Sequence, residues 1–174
     1  MITVALTATV DATRECVWRT LVDPALRPRW DERILGELRL PARPERNERF
    51  AGSAAAPPAI AALRRIGWRF RLAGVPLVMI DEIHRIEGHE RILGRITIGS
   101  MRFDRTITLR AEHDRSGPRT RVGMKLVASN RLAVIGELVP RIEVQRIVIE
   151  HVDTTLRQIR KYCESLPQRD AAIA

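Results

Sequence analysis

"MRFDRTITLRAEH", residues 101–113, alternates along its length. Met101, Phe103, Ile107, Leu109 and Ala111 share one face; Arg102, Asp104, Thr106, Thr108, Arg110 and Glu112 share the other. A period of two predicts a strand with one face buried and one wet. The following "TRVGMKLVAS" (120–129) repeats the pattern, with Val122, Met124, Leu126 and Ala128 as its apolar face. Only the turn "DRSGPR" separates the two, and a link so short joins antiparallel strands, since parallel pairs need long crossovers.

Working outward, "RILGRITIG" (91–99), "PLVMIDEIHRIE" (76–87) and "WRFRLAG" (68–74) also read as strands between short turns. The chain from Gly67 to Ser129 is therefore expected to be an antiparallel meander. Nearer the start, "ITVALTATV" (2–10) and "RILGELRLP" (33–41) alternate as well. Between them, Asp11 and Thr13 offer caps for a helix through about Val22. Pro24 suits the start of a second helical piece, which Pro28 tightens or ends. Residues 42–66 are polar and proline-broken at first, and "PPAIAALRRIG" then predicts a short inserted helix over 57–66.

Residues 130–166 are helical by period. Ile135, Ile142, Ile149, Leu156 and Cys163 recur every seven residues, with Leu138, Val152 and Ile159 beside them. Asn130 is a plausible cap; Pro140 should kink or split the helix, or begin a second one. At ~1.5 Å per residue the segment runs ~50 Å, enough to cross a twisted sheet. No internal repeat or composition shift divides the chain, so 1–166 reads as one domain and 167–174 as a frayed tail.

The 174 residues suffice to bury a real core, and no run of ~18 uncharged apolar residues could span a bilayer. The start lacks the basic residues of a secretory signal, and Cys16 and Cys163 match no metal or redox spacing. Free thiols in a reducing cytoplasm are the simpler expectation. The net charge of +9 suggests a polyanionic partner, but the arginines are scattered, with no block of five or six. Nucleic acid is thus an unfavoured partner. No P-loop, dinucleotide fingerprint or nucleophile elbow occurs, and no cofactor or metal is expected.

One strand, two short helices, about six antiparallel strands and a long last helix form a characteristic order. With "VWRTLVDPALRPRWDERI" (17–34) and "GPRTRVGMKLVAS" (117–129), it resembles the START-like, or SRPBCC, superfamily, and within it the polyketide cyclase/dehydrase-like group. The resemblance covers nearly the whole chain except 42–66, which looks longer than usual. It implies an α+β helix-grip fold: a curved antiparallel sheet of about seven strands around the C-terminal helix, enclosing a cavity for a hydrophobic molecule. It implies, first, an enzyme that cyclises its substrate by aldol-dehydration chemistry; the alternative is a non-catalytic carrier or sensor of a lipid or other hydrophobic metabolite, and the third a polyanion- or ribosome-interacting module. Monomer and homodimer are equally open.

Polar residues that interrupt an apolar track are the candidates for chemistry inside such a cavity. Arg105 lies in phase with Phe103 and Ile107. A buried guanidinium needs a carboxylate or an anionic ligand group, unless a bulge flips the phase or the side chain snorkels to the edge. Gln145 interrupts the helix track Leu138–Gln145–Val152–Ile159. On strand 76–87 either face could point inward: Glu82 with His84 as an acid/base pair, or Asp81 alone. Trp18 and Trp30 should anchor the short helices on the sheet, Trp30 also lining one end of the cavity. Met79, Phe103, Ile107, Met124, Leu138, Ile142, Gln145 and Ile149 complete the expected lining. His89, His113 and His151 read as surface residues.

Overall fold

In a computed structural model, which describes residues 2–41, 64–72, 74–114, 117–128 and 141–166, these described residues form one seven-stranded antiparallel sheet and three α-helices. Strand β1 (Thr3–Val10) leads into α1 (Arg14–Val22), a 3-10 turn (Pro24–Leu26) and the one-turn helix α2 (Arg27–Trp30). Strands β2 (Ile34–Leu38), β3 (Arg64–Leu72), β4 (Val75–Glu87), β5 (Arg91–Ile98), β6 (Met101–Asp114) and β7 (Gly117–Ala128) follow, and then α3 (Arg141–Ser165). The spatial order is β1-β7-β6-β5-β4-β3-β2, so β2 to β7 are a meander and β1 closes onto the last strand.

Local chemistry explains the start. Thr13 caps α1 by accepting from the Cys16 amide at 3.2 Å. Asp23 ends that helix and caps the next turn through the Ala25 amide at 2.9 Å, with Pro24 in first position. Pro28 does not stop the second helical piece: it lies in the first turn of α2, where its missing N–H costs nothing.

The core forms where the inner sheet face meets α3. Met101, Phe103, Arg105, Ile107 and Leu109 of β6 are buried, as are Val122, Met124, Leu126 and Ala128 of β7, in the expected phase; Ala111, expected with them, is exposed. Trp18 and Trp30 are both buried. The Trp18 ring stacks on His89 at 4.9 Å, and the Trp30 indole N–H donates to the Thr20 carbonyl at 3.0 Å. These contacts tie the short helices to the rest of the fold.

The inserted helix over 57–66 needs correction. Arg64, Arg65 and Ile66 already belong to β3, paired with Ile83, Glu82 and Asp81 of β4; the rest of that stretch lies outside the described residues. Ladder bonding across the sheet overrides the local helical signal there. Strand β4 carries a bulge between Ile83 and Arg85, opposite Gly94 of β5. A Cβ on Gly94 would meet the Glu82 carbonyl oxygen at 2.0 Å, so only glycine fits this approach.

Helix α3 is described from Arg141, directly after Pro140. It runs from the end of β1 to β3: the Asp11 amide donates to Glu164 at 3.0 Å, and the His151 ring stands edge-on to Phe70 of β3 at 5.7 Å. Its buried face is Val144, Val148, His151, Val152, Thr155, Leu156, Ile159 and Cys163. Gln145 and Ile149 therefore do not line the interior, and Ile149 is 40% exposed. The heptad tracks mark one margin of the buried arc, because its other margin is made of the polar His151 and Thr155. Leu138 and the side chain of Ile142 lie outside the described residues. Among the described residues no helix is long and apolar enough to cross a membrane.

Candidate functional site

Period-two geometry decides which polar residues of β4 enter the core. Met79, Asp81 and Ile83 are buried on the inner face. Glu82 is thereby turned to the outer face, so Glu82 and His84 form no acid/base pair inside. Glu82 pairs with Arg65 at 3.3 Å, and the His84 ring nitrogens, beside the bulge, are buried without a hydrogen-bond partner.

Arg105, 5% exposed, points inward from β6 and solves its charge problem across the sheet. Its terminal nitrogens donate to the two oxygens of Asp81 at 2.9 and 2.6 Å. Such a fork-on-carboxylate geometry is the strongest a guanidinium makes. Burial pushes the Asp81 carboxyl up, but Arg105, then Arg27, outweigh it and hold it below the usual carboxylate range.

The second half of the network comes from "RPRWDER" (27–33). Arg27 donates to Asp31 at 2.9 Å, four residues on, and lies 3.8 Å from Asp81. Its guanidinium covers the Trp30 ring at 4.4 Å. Asp31, fully buried, also accepts from Arg33 Nε at 2.9 Å. Burial raises its carboxyl and the two arginines overcome that, leaving it low. Burial lowers the pKa of Arg27 and of Arg64, whose guanidinium donates to the Val22 carbonyl at the end of α1.

Arg33 carries the network to α3. It donates to Thr155 Oγ1 at 2.7 Å and lies 3.1 Å from His151 Nδ1. A guanidinium can only donate, so Nδ1 accepts and Nε2 carries the proton. Burial, reinforced by Arg33, lowers His151 to about 3, and the imidazole is neutral at physiological pH. His151 thus reverses the surface assignment.

Beside this cluster lies an apolar gap of about 10 Å³ lined by Leu72, Ile98, Phe103, Leu126, Val148 and His151, among others. It has room for about one water, so a larger guest there requires side chains to move. Of the expected lining residues, Met79, Phe103, Ile107, Met124 and Trp30 are buried, and Phe103 borders the gap. Arg27, Asp31, Arg33 and Thr155 are not among the residues expected from sequence, and His151 is expected there only as a surface residue. Two signals for them exist: the Arg27/Asp31 spacing of four beside a tryptophan, and the Val144–Val148–Val152 row that places 151 and 155 on its flank.

No protein-family model matches this sequence, and no curated protein matches it. Solved structures do. A START superfamily protein from Mycobacterium smegmatis is 15% identical, with TM-score 0.64 over 96% of this chain and 100% of that one. The Zhui aromatase/cyclase from Streptomyces sp. R1128 is 14% identical, with TM-score 0.65 over 93% of each chain. DynU16, a protein of the dynemicin biosynthetic locus, is 16% identical, with TM-score 0.59 over 95% of this chain and 48% of that one. At such identities the likeness establishes the fold: this chain has the START-like, helix-grip fold.

Proposed function

We propose that this chain binds a small, largely hydrophobic molecule between the sheet and α3, and acts on it as a polyketide cyclase/dehydrase-like enzyme. The observation that carries this reading is Arg105, buried on the inner face two residues from Phe103 and the apolar gap. A wall meant only for carriage has no use for a charged cluster that is costly to bury. The guanidinium of Arg105 and the neutral Nε2–H of His151 are donors suited to polarising a ligand carbonyl and stabilising an enolate. Asp81, ionised, is the inward carboxylate that would take up a proton from the substrate. The likeness to an aromatase/cyclase and to a protein of a biosynthetic locus supports this direction.

A non-catalytic carrier or sensor is the second reading. It is favoured by Arg105 and Asp81 occupying each other, which leaves Asp81 a weak base. Native mass spectrometry of protein from its own host tests both. A co-purifying small molecule is expected, and re-incubation with fresh protein should convert it to a cyclised or dehydrated product. Recovery unchanged leaves the carrier; ligand-free protein under every growth condition counts against both readings.

A further inference from the structure

The buried charges do not balance. Among the described residues the guanidiniums of Arg27, Arg33, Arg64 and Arg105 face the carboxylates of Asp31 and Asp81, with Asp23 also acting on Arg64, and His151 is neutral, so four positive charges meet three negative ones. Arg27 and Arg105 are 9% and 5% exposed, too deep for water or salt to compensate them freely. The Nε atoms of Arg27, Arg64 and Arg105 are all buried without a hydrogen-bond partner. Such groups have given up water and received nothing in return, which native interiors tolerate rarely.

We infer that the ligand carries a carboxylate, received by Arg27, Arg64 and Arg105, with its apolar body directed along Phe103, Leu126 and Val148. This rests on the interior being a ligand site, as argued above. A carboxylate supplies two acceptor oxygens for the unpartnered Nε–H groups, and its charge offsets the positive excess. A phosphate fits less well: a dianion would lie against Asp31, Asp81 and the apolar wall at a greater desolvation cost. Head and tail sites are continuous, because Phe103 lies two residues before Arg105 on the same face of β6 and His151 borders both cluster and gap.

The test is calorimetric titration of the full chain with 2-naphthoate and 2-naphthamide, near-isosteric probes differing in charge. The carboxylate is expected to bind about tenfold or more tightly than the amide, the scale of a charge-assisted pair. Arg64→Gln at the half-buried rim and Arg27→Gln within should each weaken binding of the carboxylate far more than binding of the amide, so that the preference is lost. Equal affinity of the two probes for the unaltered protein, or a preference that survives in both variants, overturns the carboxylate inference and leaves the ligand-binding reading standing. Binding of neither probe, together with ligand-free protein from the host, overturns both.

Discussion

Asp81 on β4 grips both terminal nitrogens of Arg105 on β6, at 2.9 and 2.6 Å, across the intervening strand β5. The two side chains are 9% and 5% exposed, so neither charge is solvated when the other is lost. Asp81→Asn is therefore expected to cost about 3–5 kcal/mol, the penalty of leaving one buried charge alone. Replacing both residues, as Asp81→Leu with Arg105→Met, should restore most of that stability while removing the polar centre. Urea melts of the three variants check this. A double variant as unstable as Asp81→Asn would show that the pair stabilises through something other than mutual neutralisation.

His151 sets an acid limit. Its pKa falls from an ordinary imidazole value to about 3 on folding, through burial and then Arg33. Between those values the unfolded chain binds a proton that the native chain does not, so stability falls as pH drops below about 6.5. The slope approaches about 1.4 kcal/mol per pH unit for one proton. The depressed Asp31 and Asp81 lose their contribution in the same direction, but only below the usual carboxylate range. His151→Gln should flatten the profile between pH 6.5 and 4.5, measured by denaturant midpoints. An unchanged slope would place the acid sensitivity elsewhere.

Gly94 is required by space rather than by backbone angle. Its hypothetical Cβ meets a main-chain oxygen, that of Glu82, which cannot move without opening the bulged β4–β5 ladder. Gly94→Ala is expected to cost roughly 1–3 kcal/mol or more, as overpacking does. Gly123→Ala is the control, because the nearest atom there is the Thr108 hydroxyl, a side chain able to turn aside. Thermal melts that rank Gly123→Ala as the more damaging change would contradict this.

Trp30→Phe removes the indole N–H from the buried Thr20 carbonyl and weakens the ring under Arg27. A loss of about 1–3 kcal/mol follows from the unsatisfied acceptor alone. Trp18→Phe should cost less, since its recorded ring partner, His89, is exposed and stacks on a phenyl ring as readily. Parallel urea titrations distinguish the two.

Cys163 lies buried between α1 and α3, donating to Thr20 Oγ1 at 3.5 Å. Its hydrogen bond with Cys16, and then burial, push its thiol far above the ordinary range. Iodoacetamide should label native protein at Cys16 only, with Cys163 labelled no faster than the chain unfolds. Rapid labelling of Cys163 by peptide mapping would refute the packing described for α1 on α3.

Alternation and helical period are local properties, which is why so much of the architecture could be read from the chain. The inward faces of "MRFDRTITLRAEH" and "TRVGMKLVAS", the cap at Thr13, the helical start at Pro24, and the inward phase of Arg105 each follow from residues a few positions apart. His151 and Thr155 lie off the apolar stripe of the helix, and polar residues buried by their partners leave no such mark in sequence. Which face of β4 turned inward was undecidable locally, both faces beginning apolar. Only the assembled sheet chose Asp81 over Glu82 and His84, because its register brought Arg105 to that side. A charged residue buried alone is unstable, so its place depends on a partner, and the partners of Arg105 and His151 come from segments 24 and 118 residues away. Strand phase and capping were thus set by neighbours in sequence, whereas the charged interior was set by neighbours in space.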